Sequence, residues 1–319
     1  MVKMSERSRN NFLKKMYYGV KEAGSFTAPA TFYRAVKEKS NNTITRKQVN
    51  EWLNAQDSYT LHRRTRKKFR RNRIIVGRID EQWQTDLIDI QKIARYNNGY
   101  RYILVCIDIL SKFAWVEPLK SKSGKSIIAG FKKIFKKGRK PLLLQSDQGT
   151  EYLNKEFQNF LKSENIHYFH TYNETKAAIA ERLIETLKSK MYKYFTYKNT
   201  LNYTNILQDL VHSYNNSYHS SIKTKPVLVT KHNEDHIWHV LYDHDLLDGK
   251  TPFKFHVGDR VRLAKKKGQF EKGYTANFTK EIFEISKRIA RNPPVYKIKD
   301  LNGEEIEGTI YPNELQLVK

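Results

Sequence analysis

Apolar and polar positions alternate from Trp83 to Ile90. Trp83, Thr85, Leu87 and Asp89 fall on one side, Gln84, Asp86, Ile88 and Ile90 on the other. A two-residue period predicts a β-strand. Asn97-Asn98-Gly99 carries hairpin-turn chemistry and leads into the β-forming run Tyr100–Leu110, followed by Phe113–Leu119. Three antiparallel strands are therefore expected. The period then lengthens. Across Ser123–Lys137, Ile127, Ile128, Phe131, Ile134 and Phe135 form a helical stripe. In Pro141–Tyr152, PLLLQSDQGTEY, three leucines run into a polar knot. This predicts a buried strand with Asp147 at its tip and a turn released at Gly149. A helix over Asn154–Ser163, a strand over Ile166–Tyr172, and helices over Lys176–Tyr197 and Thr204–Tyr218 follow. The sum is a mixed sheet with helices on its faces.

The flanks read differently. Residues 1–25 are polar, basic and weakly periodic. Pro29 suits the first position of a helix running to about Lys39. Thr45 with Gln48 forms a capping box, and Ile44 with Val49 a hydrophobic staple, ahead of a helix through Trp52 and Leu53. Such a helix pair is either a helix-turn-helix DNA reader or a small packing module. Leu61–Arg73, LHRRTRKKFRRNR, carries eight Lys or Arg and reads as a linker or phosphate-binding arm, with nuclear import as a further role. Near the end, Val257–Leu263, Glu281–Ile285, Val295–Lys299 and Glu305–Tyr311 are strand-like, with a turn at Asn302-Gly303. They predict a small β-barrel of about five strands. The expected layout is an N-terminal helical, DNA-binding domain over 1–58, a basic linker over 59–80, an α/β core over 81–230, a connector over 231–253 and the barrel over 254–319.

Charge narrows the partner. Among 319 residues there are 59 Lys plus Arg against 33 Asp plus Glu, a formal charge of +26. An excess of that size favours a polyanion, most simply nucleic acid. No apolar run is long enough to span a bilayer and no secretory leader is read at the start, so a membrane role is not expected. With one cysteine, Cys106, neither an intrachain disulfide framework nor a zinc site of two or more thiolates can form. Cys106 lies in an apolar run and reads as a small buried hydrophobe. His232, His236 and His239 share helical spacing and read as solvated surface.

Three carboxylates stand out. Asp86 lies mid-strand among apolar residues, where a charge is costly unless paired or metal-bound. Asp147 ends a strand, although it also suits a helix N-cap. Glu181, Glu185 and Lys188 line one face of the helix KAAIAERLIETLK, where ordinary surface is the plainer account.

Taken together, WQTDLIDI, YRYILVCIDILSKFAWVEPL, QSDQGTEY and KAAIAERLIETLK resemble, in order, the ribonuclease H-like catalytic core of retroviral-type (DDE) integrases. FRRNRIIVGRIDEQWQTDLID, FHVGDRVRL, QFEKGYTANFTKEIFEI and LNGEEIEGTIYPNEL look like integrases of Maverick/Polinton DNA transposons. The resemblance spans roughly Tyr59 to Val318. It implies an α/β ribonuclease H-like core with a mixed five-stranded sheet, preceded by a small helical domain and followed by an SH3/chromo-like β-barrel. Asp86, Asp147 and Glu181 would be the catalytic, metal-binding triad, holding two Mg²⁺ or Mn²⁺ ions. Glu181 is chosen over Glu185 because Glu181, Arg182, Thr186, Leu187 and Lys188 match the family's Glu-Arg-aromatic-Asn-Arg-Thr-Leu-Lys, whereas Leu183, Ile184 and Glu185 depart from it.

The implied activity is 3′-end processing of element DNA and strand transfer into target DNA. Element-end and target DNA are the implied partners, with a homo-oligomer, chromatin as a further partner, and the nucleus as the place of action. Lys176, Lys188, Arg63, Arg64, Arg66, Lys67 and Lys68 are candidate DNA contacts. The chain departs from retroviral integrases in lacking the cysteines of their N-terminal zinc module. A catalytically silent, host-adopted DNA- or chromatin-binding protein and a plain nuclease are the alternatives.

Overall fold

The computed structural model describes residues 4–41, 43–65, 69–147, 149–170, 178–247, 251–265, 271–272 and 274–318. They group into two compact units, one of residues 73–249 and one of residues 1–72 with 250–319. The chain begins with four helices: α1 (Glu6–Tyr18), α2 (Pro29–Lys39), α3 (Arg46–Asn54) and α4 (Asp57–His62). Helix α1 falls where the sequence shows little periodicity. It is capped by Ser5, whose hydroxyl accepts from the Ser8 N–H at 3.3 Å, and it buries only Leu13, Met16 and Tyr17. One patch at that spacing docks a helix but is too narrow to dominate its pattern. The capping box of α3 forms as read. Thr45 N–H donates to Gln48 Oε1 at 2.9 Å, and Gln48 N–H to Thr45 Oγ1 at 3.3 Å. Ile44 and Val49 are buried in the same core as Phe32, Val36 and Leu53.

The unit of residues 73–249 carries β1 (Gln82–Asp89), β2 (Tyr102–Asp108), β3 (Ala114–Leu119), α5 (Gly124–Phe135), β4 (Leu143–Ser146), α6 (Thr150–Leu153), α7 (Lys155–Ser163), β5 (His167–His170), α8 (Ala178–Lys198), α9 (Leu207–Asn215) and α10 (Glu234–Leu247). Its five strands run in the order β3-β2-β1-β4-β5. β1, β2 and β3 are antiparallel neighbours, while β4 lies parallel to both β1 and β5. Both faces are covered, which explains why YILVCID is almost continuously apolar. Ile103, Val105 and Ile107 pack with α8 and α9, whereas Leu104 and Cys106 join Trp83, Phe131 and Phe157 on the other face. Cys106 is fully buried.

The stretch expected to be a loose connector contains α10. Its Ile237, Leu241 and Tyr242 are buried with Val76, Ile109, Leu110 and Ile222. His and Asp between these positions mask the apolar face in the sequence.

The C-terminal strands are β6 (Arg260–Leu263), β7 (Phe283–Ile289), β8 (Val295–Lys299) and β9 (Leu315–Leu317), in the order β8-β7-β6-β9. Glu305–Tyr311, expected as a strand, makes only the isolated bridges Lys299 to Glu305 and Tyr296 to Ile310. Gly308 between them has φ +101°, a conformation that interrupts extended backbone.

Within the same unit the N-terminal helices are joined to this sheet. Arg262 donates from Nη2 to Asp57 Oδ1 at 2.6 Å and from Nη1 to the Thr279 carbonyl at 3.0 Å. Asn277 N–H donates to the Leu61 carbonyl at 2.7 Å, Arg63 Nη1 to Gln316 Oε1 at 2.5 Å and Asn72 N–H to Tyr311 Oη at 2.9 Å. Part of the basic run thus lies along the C-terminal sheet. Among the described residues no helix is long and apolar enough to cross a membrane.

Candidate active site

Strand register sets the site. β1 pairs in parallel with β4 as Gln82 with Leu143, Trp83 with Leu144 and Gln84 with Gln145. Continued by two residues, the same register sets Asp86 beside Asp147, one residue past the end of β4. Asp86 shares its face of β1 with Gln84 and Ile88, the face that α8 covers. Glu181 stands in the first turn of α8, where the positive end of the helix dipole favours a carboxylate.

A buried amide network fixes these elements. Gln145 Oε1 accepts from Gln82 Nε2 at 2.8 Å and from Gln84 Nε2 at 3.1 Å. Gln84 Oε1 in turn accepts from the backbone N–H groups of Ile179 and Ala180, both at 3.1 Å. Gln84 thus ties the first described turn of α8 to the neighbouring strand. Gln84 and Gln145 precede Asp86 and Asp147 by two residues each, and Gln84 binds the turn carrying Glu181. The network therefore ties together the three segments bearing the predicted triad. Its role was missed in the sequence, where a glutamine among apolar residues carries no mark of its partner.

The electrostatics are one-sided. Burial pushes the half-buried Asp86 carboxyl up to about 6, and the charges of Asp147, Glu181 and Glu151 push the same way. Among the described residues, the Leu87 N–H, donating to Asp86 Oδ1 at 2.7 Å, pulls it down. Glu151 is a fourth carboxylate that sequence reasoning left out of the site. Its side chain folds back over Gly149, where an added Cβ would lie 2.7 Å from the Glu151 carboxyl. Gly149 thus leaves the space that this carboxylate takes. Below it Tyr152 is fully buried, and burial, with Asp86's charge adding to it, holds its hydroxyl well above the usual range.

Asp147 is not the N-cap of either helix that follows it. Its Oδ1 accepts from Gly149 N–H at 3.1 Å, a local turn contact. Helix α6 has no side-chain cap, and α7 is capped by Asn154, which accepts from Phe157 N–H at 2.9 Å.

The donor set consists of carboxylate oxygens, the chemistry that Mg²⁺ and Mn²⁺ prefer. Mutual repulsion around Asp86 is what a cation would relieve, so the residue types fit a divalent ion. Among the described residues, no three His, Cys, Asp or Glu side chains are close enough together to hold one as they stand.

The predicted DNA contacts are spread out. Lys188 is exposed on α8, and its charge, with that of Lys122, acts on Asp89. Arg63 and Arg64 belong to the other unit. Lys176, Arg66, Lys67 and Lys68 lie outside the described residues, as does Gln148.

Residues 78–173 match the family model of the integrase core domain. A transposon-derived protein of Caenorhabditis elegans is 36% identical over 188 residues, covering 59% of this chain and 63% of that one. The Pro-Pol polyprotein of feline foamy virus is 27% identical over 132 residues, covering 41% of this chain and 11% of the polyprotein. The chain thus spans less than two thirds of the length of these relatives. Among solved structures, a chain of the simian T-cell lymphotropic virus intasome, determined in complex with PP2A regulatory subunit B56 gamma, superposes with a TM-score of 0.61 at 16% identity, over 92% of this chain and 99% of that one. At that identity the likeness is one of fold. It agrees with the expected ribonuclease H-like core.

Proposed function

We propose that this chain is the DNA integrase of a mobile element, of Maverick/Polinton-like type. It would be a DDE polynucleotidyl transferase that trims the 3′ ends of element DNA and transfers them into target DNA. One observation carries this reading. Asp86, inside the region that matches the integrase core domain, feels the charges of Asp147 and Glu151 from that region and of Glu181 just beyond it. A fold does not need such a concentration of like charge, and phosphoryl transfer with divalent ions does.

In this reading Asp86, Asp147 and Glu181 hold Mg²⁺ or Mn²⁺, two ions in all. The bound ions would activate the attacking oxygen and stabilise the leaving one at phosphorus. Gln84 and Gln145 hold the carboxylate-bearing segments in register. Lys188, two turns along α8 from Glu181, receives a DNA phosphate, with Lys176 and the basic run Arg63, Arg64, Arg66, Lys67 and Lys68 as further contacts. The partners are element-end and target DNA, and the working form is a homo-oligomer, since two ends must be joined together. The C-terminal sheet is assigned to the SH3/chromo-like class, with chromatin as its further partner, and the nucleus is the place of action.

A second reading is favoured by the spacing of the acidic groups, which among the described residues do not converge to coordination distance. It makes the chain a DNA- or chromatin-binding protein that kept the fold without the chemistry. One experiment separates the two. The protein is incubated with Mg²⁺ or Mn²⁺, a labelled terminal-repeat end and a plasmid. Joined products that disappear in Asp147→Asn support the integrase. Binding without joining, unaltered by that substitution, supports the silent protein. Cutting without joining points to a nuclease.

A further inference from the structure

A cleft of about 910 Å³ opens in the N-terminal module, lined among others by Tyr17, Phe26, Tyr59, His62, Arg63 and Arg64. Its size is near the upper end for sites that enclose a ligand of several rings, roughly 300–1,000 Å³. A smaller pocket shares Arg63 and Arg64 and adds Lys254 from the C-terminal segment of the same unit. No Asp or Glu lines either one among the described residues. The cations are crowded. Burial pulls the Lys254 ammonium down, and Arg63's charge adds to this. The Arg63 guanidinium donates to the neutral amide oxygen of Gln316, a contact that leaves its charge uncompensated.

Phe26 is the second, independent sign. Its backbone has φ +49°, a region that bulky residues rarely adopt. The residue is 56% exposed even though its ring lies 5.5 Å from that of Tyr17 and 5.7 Å from that of Tyr18 between centroids. The Phe26 N–H donates to the Tyr17 carbonyl at 3.1 Å and holds the residue in this conformation. Folding alone gains little from an aromatic ring that is strained and largely in water. Strain of this kind concentrates at sites that meet a ligand.

We propose that this cleft binds an unpaired stretch of a DNA strand, stacking bases on Phe26 and its neighbouring rings while Arg63, Arg64 and Lys254 take the phosphates. Aromatic faces interleaved with cations are the chemistry of single-strand binding, because every base offers a π-face and every linkage a charge. A paired duplex hides its bases and cannot use the rings. The inference rests on DNA being the partner, but it is independent of the carboxylate chemistry.

The test uses the full chain without divalent metal. Affinity is measured by fluorescence anisotropy for a blunt duplex and for the same duplex with a single-stranded overhang carrying 2-aminopurine. Phe26→Ala should weaken overhang binding roughly tenfold, abolish 2-aminopurine quenching and leave blunt-duplex affinity within about twofold, as expected for loss of one stacking ring. Phe26→Trp should restore both signals, and Arg64→Glu should lower the salt dependence of overhang binding. Equal affinity of Phe26→Ala and the parent for the overhang would overturn the proposal, as would an equal loss on both DNAs. Should the chain bind neither DNA, the reading of DNA as partner falls with it. Should it bind both without distinguishing them, only this inference falls.

Discussion

The five-stranded sheet carries acidic clusters at both ends of β1, and they are built in opposite ways. Before β1, Asp80 and the fully buried Asp108 share Arg139. Its Nη2 lies 2.8 Å from Asp80 Oδ1 and 3.2 Å from Asp108 Oδ2. Trp83 Nε1 donates to Asp80 at 2.8 Å, Ser111 N–H to Asp108 at 2.9 Å, and the guanidinium sits 4.9 Å over the Trp115 ring. Lys112 lies alongside, its ammonium pulled down to about 8 by burial against the opposing effect of Asp108. Toward the other end, the charges of Asp147, Glu181 and Glu151 all push Asp86 up, and among the described residues no cation opposes them. Burial raises both Asp86 and Asp108, but Asp108 has Arg139 and the Ser111 hydroxyl to oppose that rise. The compensated cluster serves the fold, and the uncompensated one is where the proposed chemistry would act.

The contrast can be broken most sharply by reciprocal substitutions. Asp147→Asn should lower strand joining by at least about a thousandfold, since metal-assisted stabilisation supplies several kcal/mol, while thermal unfolding of the metal-free protein stays at or above the parent's temperature. Joining within tenfold of the parent would remove Asp147 from the site. At the opposite end, Arg139→Leu leaves Asp80 and Asp108 without their cation. Urea titration should show a loss of about 3–5 kcal/mol, and a loss below about 1 kcal/mol would make the cluster ornamental.

The third substitution tests the pH dependence. Asp86 has its folded value raised, so the native state holds the proton more tightly than the unfolded chain. Its contribution is most favourable in acid and declines as pH rises from 3.8 through about 6. Asp86→Asn mimics the protonated form. It should therefore stabilise the metal-free protein at pH 8 by on the order of 2 kcal/mol and have no such effect below the unfolded value. A pH-independent difference between the two proteins would refute the assignment. The smallest effect is expected for Gln84→Ala, which frees two helix N–H groups. It should cost about 1–2 kcal/mol and reduce joining roughly tenfold by letting Glu181 drift. Restoration of both by added metal alone would argue that the amide network merely supports the fold.

These two ends were not equally legible. At the carboxylate end Asp86 and Asp147 stood out locally, and Glu181 was singled out only by the family resemblance. Asp86 interrupts an alternating strand and Asp147 follows three leucines, whereas Glu181 beside its apolar stripe looks like ordinary helix surface. The compensated end was silent, because Asp80, Asp108 and Arg139 are brought together only by long-range pairing. Glu151 went unread for a different reason. Its path back to the site depends on the turn at Gly149, and spacing does not encode that path. Local chemistry gave α3 its start at Thr45 without ambiguity. Helices α1 and α10 escaped notice because each buries a short patch set among polar residues.

The joining of α4 and the basic run to the C-terminal sheet has a consequence for how the chain is made. Arg262 reaches Asp57 across 205 positions, and Gln316 accepts from Arg63 across 253. Contacts at such separations carry a large entropic cost and slow folding. On the ribosome, helices α1 to α4 are made before the sheet they pair with, and all of residues 73–249 is made in between. The unit of residues 73–249 has all its own contacts in hand before that sheet is made. Synthesis thus delivers residues 73–249 before the body formed from the two flanking segments can close.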